Sequence, residues 1–257
     1  MALYLGSKKV APTKTITKEL PSMKAFFDAG GKCGYSNATT FEGIIQYSDT
    51  SNVTDMNQMF YYCTKLTSIP QLDTSNVTDM TRMFEHCHIL TSIPQLDTSK
   101  TIYMSDMFSE CYQLTSIPQL DTSKTTSMGS MFYRCEKLTS IPQLNTSNVT
   151  NMESTFYVCK SLISIPKLDV SKVNIMDYIF GGCINLETIH MINMKVSFNI
   201  SSSTKFTREA LLEIINNCYD LTTLNRTATL TMGSTNLAKL TDEDKLIATN
   251  KGWTLAW

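Results

Sequence analysis

The 257-residue sequence lacks the features that several large classes of protein require. Its net charge of −1 provides no general attraction to nucleic-acid phosphates or to anionic lipids. No apolar run approaches the roughly 18–20 residues that span a bilayer. Glycine is scarce, with 10 residues, and no G-x-x-x-x-G-K phosphate loop occurs. We therefore expect no nucleic-acid binding, no membrane insertion and no phosphate-binding loop.

The first residues also lack a basic segment followed by an apolar stretch of about 7–15 residues, which a secretory signal needs. We expect synthesis in the cytoplasm without a signal peptide. Cysteines made in that compartment stay reduced. The chain has 8 of them.

A 24-residue period organises the middle of the chain. Parallel series at the same period begin at Met56, Phe60, Leu66 and Ile69. Cysteine recurs in the same way, at Cys63, Cys87, Cys111, Cys135, Cys159 and Cys183. Periods of about 20–50 residues are typical of stacked units that bury their apolar faces only against each other.

Each repeat has two halves with different patterns. Met56, Met59, Phe60 and Cys63 follow the i, i+3, i+4, i+7 spacing of one helix face, so we predict an α-helix there, with Thr54 as its N-cap. The second half, residues 66–72, reads as a short strand that its proline should interrupt, followed by an Asx turn. The predicted unit is therefore strand, turn, helix and loop.

Weaker versions of the pattern flank the regular repeats. The spacing continues at Leu211, Ile214, Ile215 and Cys218, and a last helix and strand are expected from Thr241 onward. We predict one domain with caps, divided into an N-terminal arm at 1–20 and a solenoid at 21–257, which comprises a cap coil at 21–48, regular repeats at 49–192 and degenerate coils with a cap at 193–257.

The repeat motif resembles a known family. Phe-x-x-Cys-x-x-Leu-x-x-Ile, joined to Asp-Thr-Ser-Asn-Val-Thr-Asp-Met, is similar to the BspA-like leucine-rich repeat of bacterial surface proteins and lipoproteins, strongly over residues 45–192. The resemblance implies an α/β solenoid, a leucine-rich-repeat stack with atypical terminal coils, and a role in adhesion without catalysis. The opening residues 2–12 resemble leaders of phage and prophage proteins, which reach the outside by lysis.

No set of residues predicts catalysis, a metal site or a cofactor. The cysteine spacing lacks the paired Cys-x-x-Cys of zinc sites and favours small buried side chains. The ladder of Asp73, Asp97, Asp121, Asn145 and Asp169 favours Asx turns over calcium, which requires more oxygen ligands. His86 and His88 are expected to face solvent, since neither has a positioned partner in the sequence. We therefore predict that the protein is not an enzyme.

Two surface sets are candidates for binding. The first varies between repeats and is rich in aromatic and charged residues: Tyr61, Tyr62, Arg82, Glu85, His86, Tyr112, Tyr133, Arg134 and Tyr157. The second is a uniform hydroxyl and amide ladder: Thr67, Thr91, Thr115, Thr139, Gln71, Gln95, Gln119 and Gln143. Tyrosine and arginine are frequent in binding hot spots, whereas a uniform ladder suits a repetitive glycan.

Two functions stay open at this point. One is a binding and adhesion module that recognises a cell-surface protein or glycan. The alternative is a structural spacer or decoration component of a virion or surface assembly. Residues 1–20 are a candidate attachment point to such an assembly in either case.

Overall fold

The computed structural model describes residues 3–5, 8–10, 50–69 and 71–257. The first two segments form an antiparallel pair, β1 (Leu3–Leu5) and β2 (Lys8–Val10). The predicted N-terminal arm therefore contains a strand pair. The predicted cap coil at 21–48 lies outside the described residues.

Consecutive repeats lie side by side in parallel. A series of parallel bridges joins equivalent positions 24 residues apart, at Asp55, Asp79, Tyr103, Ser127, Asn151 and Ile175. Further along each repeat, the backbone N–H groups of Gln58, Phe60 and Tyr62 donate to carbonyls of the next repeat at 2.8–2.9 Å. The backbone of one repeat is thus satisfied largely by its neighbour.

The predicted α-helix in each regular repeat is wrong. Residues 57–62 are consecutive turns, in which Gln58 and Tyr62 have left-handed backbone with φ of 59° and 63°. These residues orient every second N–H toward the next repeat, so that no i→i−4 helical ladder forms. Thr78, which is equivalent to the predicted N-cap Thr54, donates its hydroxyl to the Thr54 carbonyl. The i, i+3, i+4, i+7 spacing correctly marks the buried side chains but not their backbone conformation.

The predicted strand in the second half is formed at the end of the repeat array. There, β3 (Ser164–Asp169) pairs in parallel with β4 (Thr188–Ile192). The register shifts between Ile165 and Leu168, on either side of Pro166, which has no N–H to donate. The proline therefore interrupts the pairing, as expected, but the strand continues beyond it.

The interior contains a continuous stack of phenylalanine side chains. Successive phenylalanine rings from Phe60 to Phe180 lie 5.3–5.9 Å apart and within 4–6° of parallel. Cys87 Sγ donates to the Phe60 carbonyl at 3.2 Å, and later repeats repeat this bond. All seven described cysteines are buried. The prediction that they pack as small core residues is confirmed for these seven.

The C-terminal part has regular secondary structure. Its elements are β5 (Phe198–Asn199), α1 (Arg208–Asn217), a 3₁₀ turn (Leu221–Leu224), β6 (Ala228–Thr231), α2 (Ser234–Leu237), α3 (Asp242–Thr249) and β7 (Trp253–Ala256). Strands β5, β6 and β7 form a parallel sheet in that order. The expected final helix and strand are present, and a capping box between Thr241 and Asp244 begins the helix.

The i, i+3, i+4, i+7 spacing does produce a helix at α1. Thr207 caps its N-terminus by accepting from the Ala210 N–H, and Leu211, Ile214 and Ile215 are buried. Among the described residues, none of the helices has the length and apolar character to cross a bilayer. Assignment of the whole array to the leucine-rich-repeat class stays a prediction.

Candidate binding face

Four positions in each regular repeat carry side chains that change in size and charge from one repeat to the next. We call this surface the variable face. It consists of the residues at positions 58, 61, 62 and 64 and their equivalents at 24-residue intervals, up to 178, 181, 182 and 184. Because the repeats stack in parallel, each of these side chains lies beside its equivalent in the next repeat.

Aromatic rings form contacts across neighbouring repeats. The Tyr62 and His86 rings lie 4.5 Å apart. The His88 and Tyr112 rings stack at 4.8 Å and 29°. Tyr133 stacks on Tyr157 at 5.1 Å, with the ring planes only 10° apart. These contacts order the rings along neighbouring repeats.

Ion pairs continue the same row of equivalent positions. His86 Nδ1 lies 3.0 Å from Glu110 Oε2, and Arg134 Nη1 lies 3.6 Å from Glu110 Oε1. The Arg134 guanidinium also lies 5.3 Å from the centre of the Tyr112 ring, and the Tyr112 hydroxyl donates to Glu110. Tyr62, His86, Glu110 and Arg134 therefore form one continuous row. We call this row, at position 62 and its equivalents, the central row.

Carboxylates crowd this part of the face. Arg82 Nε lies 3.4 Å from Glu85 Oε2 and 3.5 Å from Asp106 Oδ2. Burial, and then the negative charges of Asp106 and Glu110, raise the pKa of Glu85 to about 7. Glu85 Oε2 and His88 Nε2 are shielded from solvent and form no hydrogen bond within the part of the chain described here.

Left-handed backbone supports the central row. The φ angles of Tyr62, His86, Glu110, Arg134 and Val158 lie between 58° and 63°. This conformation costs L-residues roughly 1–2 kcal/mol and is natural for glycine, which occupies the next equivalent position, Gly182. Large side chains are thus present where the backbone favours glycine.

The amide ladder is engaged within the protein. Gln71 Nε2 donates to the Gln95 carbonyl at 2.6 Å, and Gln95 and Gln119 repeat this bond to the next repeat. Gln143 donates to Lys167 in the same way. Each amide also bonds the carbonyl of the following leucine, so its donors are already used. The threonines of this set, Thr67, Thr91, Thr115 and Thr139, are exposed.

The aspartate ladder forms the Asx turns that the sequence predicts. Ser75 N–H donates to Asp73 Oδ1 at 3.0 Å, and equivalent bonds form at Asp97, Asp121, Asn145 and Asp169. Bonds from Ser99 hold the pKa of Asp97 below its usual range, and bonds from Ser123 do the same for Asp121. Open grooves run along this edge beside the glutamines.

The structure brings together most of the first predicted set. Tyr61 lies 5.8 Å from the His86 ring, and Arg82 and Glu85 border the central row. The prediction that the two histidines face solvent is wrong for both. The His86 side chain is only 20% exposed, and His88 is half-buried with its Nε2 shielded from solvent. Sequence reasoning missed His88 and Glu110 as members of the face. The 24-residue period is the signal that could have found both, because it aligns Glu110 with His86 and His88 with Tyr112.

Comparison with known protein families gives one match. Residues 32–140 and 135–208 match the family described as "Mycoplasma protein of unknown function, DUF285". Together the two matches span more than half of the chain. No curated protein matches the sequence.

Proposed function

This chain belongs to the family described as "Mycoplasma protein of unknown function, DUF285", and we propose that it is a non-catalytic recognition module. Its repeats form a BspA-like leucine-rich-repeat solenoid, and its variable face binds a protein on a cell surface. The row of Tyr62, His86, Glu110 and Arg134 is the observation that carries this proposal.

The contrast between core and face supports it. Phenylalanine and cysteine recur without change inside the stack, whereas the central row changes chemistry at each step. A backbone that favours glycine nevertheless carries a tyrosine, a histidine, a glutamate and an arginine. Residues kept at a backbone cost are a sign of functional demand.

The chemistry of the face suits a protein partner. Tyrosine and arginine dominate binding hot spots, and their side chains here are already positioned by neighbours. Such ordering lowers the entropy lost on binding. The glutamine ladder suits a glycan less well, because its amide donors bond to the backbone.

The test is retention of the purified protein on a panel of bacterial and animal cells, before and after the cells are treated with protease. We expect saturable binding that protease abolishes. The Tyr133→Ala/Arg134→Ala variant should lose at least tenfold in affinity, which corresponds to about 1.4 kcal/mol.

Tyr103→Ala is the matched control. Tyr103 is 49% exposed, almost the same as Tyr62 at 50%, but lies outside the variable face. Its replacement should leave binding unchanged. Binding that survives both protease treatment and the double substitution would contradict the proposal.

A structural spacer is the second candidate function. The uniform phenylalanine stack and the glutamine ladder, which bonds each repeat to the next, suit a rod of constant cross-section. In this role the chain would be part of a virion or surface assembly, attached through residues 1–20. Absence of binding to every cell tested, up to about 100 μM, would favour this role, since a site of about −5.5 kcal/mol is detectable there.

A further inference from the structure

We propose that His86, His88 and Glu110 form a binding site for a divalent transition-metal ion of the Zn²⁺ type. One ligand-capable atom from each residue lies within 4.8 Å of the other two. The site shares His86 and Glu110 with the row proposed for recognition, but its test uses the isolated protein without a partner, so either proposal can fail without the other.

The backbone explains how two histidines of one repeat share a site. Cys87, between them, is buried in the core, so the residues on both sides of it lie on the outer surface. The left-handed backbone of His86 accompanies this arrangement, and the His86 and His88 rings lie 5.7 Å apart. The two imidazoles therefore face the same region of the surface.

The third ligand comes from the next repeat. Glu110 is the 24-residue equivalent of His86, and its Oε2 lies 3.0 Å from His86 Nδ1. The hydroxyl of Tyr112 donates to the same carboxylate, and Tyr112 also stacks on His88. Such outer contacts orient ligands in metal sites. The sequence alone indicates no metal here, since linear spacing does not reveal a ligand one repeat away.

Two features of the site favour a cation. His88 Nε2 is shielded from solvent and makes no hydrogen bond to the described residues, although a buried polar atom normally has a partner. Among the described residues, the carboxylates of this cluster, with the proposed ligand Glu110 included, are Glu85, Asp106, Glu110 and Glu136, one more than the cations paired with them, Arg82, Arg134 and Lys160.

The donor set selects the kind of metal. Imidazole nitrogen suits Zn²⁺, Cu²⁺ and Ni²⁺, whereas Mg²⁺ and Ca²⁺ prefer oxygen. Tetrahedral bonds of about 2.0–2.2 Å place ligand atoms about 3.4 Å apart. The three ligand atoms here lie within 4.8 Å of one another, so a side-chain rotation has to bring the most distant pair closer. Three protein ligands leave one position for water.

The test is calorimetric titration of Zn²⁺ into the untagged, reduced, chelator-treated full chain, with Mg²⁺ as a second titrant. We expect one site that binds Zn²⁺ and not Mg²⁺. His88→Gln and Glu110→Gln each remove a direct ligand, so each should weaken binding by at least the roughly 10–100-fold that loss of an outer-shell partner causes.

His190→Gln is the matched control. His190 Nδ1 lies 2.6 Å from Glu213 Oε1, so the two residues form a histidine–carboxylate pair like that of His86 and Glu110. Among the described residues, this pair belongs to no group of three ligand-capable side chains. This variant should bind Zn²⁺ like the wild type. The unfolding midpoints of all variants verify that they are folded. Two ligand variants are used so that one remains if the other does not fold.

Three results would overturn the site. They are no heat of Zn²⁺ binding, unchanged affinity in the folded ligand variants, and an equal loss in His190→Gln. Equal binding of Mg²⁺ would likewise exclude a nitrogen-ligated site.

Discussion

His86 Nδ1 lies 3.0 Å from Glu110 Oε2, although the two residues are 24 positions apart in the chain. Both have left-handed backbone, with φ of 63° and 58°. On its other side, His86 contacts the equivalent residue of the preceding repeat, Tyr62, at a ring separation of 4.5 Å. The face is thus created by the stacking of repeats, and its local chemistry depends on which side chains occupy equivalent positions.

The phenylalanine stack should dominate stability. The Phe108 ring is fully buried between Phe84 at 5.5 Å and Phe132 at 5.7 Å. Phe108→Ala removes both contacts and leaves a cavity, so we expect a loss of about 3–5 kcal/mol in the free energy of unfolding, measured with denaturant. Tyr103→Ala should cost less than about 1 kcal/mol, as is usual on the surface. Equal losses in the free energy of unfolding for the two variants would show that the phenylalanine stack does not dominate stability.

The left-handed positions should respond to glycine. Val158 has φ of 58° and a β-branched side chain, which this region disfavours strongly. Val158→Gly relieves the strain, while Val158→Ala keeps it. We therefore expect the glycine variant to be more stable than the alanine variant by about 1 kcal/mol in denaturant unfolding. The reverse order would contradict the assigned backbone conformation.

The cysteines should be unreactive in the native protein. Burial raises the pKa of Cys183 and Cys218 to about 12, and the pKa of Cys135 and Cys159 is well above the usual range for the same reason. Thiols react as thiolates, so a thiol reagent at neutral pH should modify none of the seven buried cysteines.

Cys33 provides the control for this measurement. It lies outside the described residues, and Cys33→Ala removes its contribution to the count. In that variant we expect no rapid modification in native buffer and full modification in guanidinium. Fast reaction of two or more thiols in native buffer would exclude a closed core.

Acid should weaken the C-terminal cap. Arg208 donates to both Asp244 carboxylate oxygens, at 2.8 and 2.6 Å, and these bonds, followed by the Thr241 N–H, hold the pKa of Asp244 below its usual range. The resulting stability is present above the unfolded-state pKa of about 3.9 and is lost as pH falls through the lower folded-state value.

Asp244→Asn removes this pH dependence. Its melting temperature should be below that of the wild type at pH 6, and the difference should shrink toward pH 2.5. Glu243→Gln removes an exposed carboxylate in the same helical turn, and its melting temperature should equal that of the wild type at both pH 6 and pH 2.5. A constant difference between Asp244→Asn and the wild type would refute the linkage.

The sequence predicts the interior better than the backbone. Repetition of Phe60 and Cys63 identifies buried positions because burial is shared by every repeat. It does not distinguish helix from turns, because the choice depends on hydrogen bonds to the next repeat, such as Phe60 N–H to the Met83 carbonyl. At α1 the same spacing forms a true helix, where Thr207 provides a cap.

The candidate face was only partly predictable for a related reason. Tyrosines and arginines are visible in each repeat, but contacts such as Glu110 with His86 appear only when equivalent positions are aligned across repeats. The glutamine ladder looked available for ligands. Its amide donors are used within the stack, which side-chain composition does not reveal.

Hydroxyl-radical footprinting of the protein, free and bound to cells, tests recognition by the variable face most directly. Tyr62 and Tyr103 are matched in exposure at 50% and 49%, so their oxidation rates in the free protein provide a built-in comparison. We predict that binding protects Tyr62, Tyr133 and Tyr157 while Tyr103 stays unchanged. If each of these four tyrosines is oxidised at the same rate in the bound protein as in the free protein, at saturating cell density, the account is contradicted.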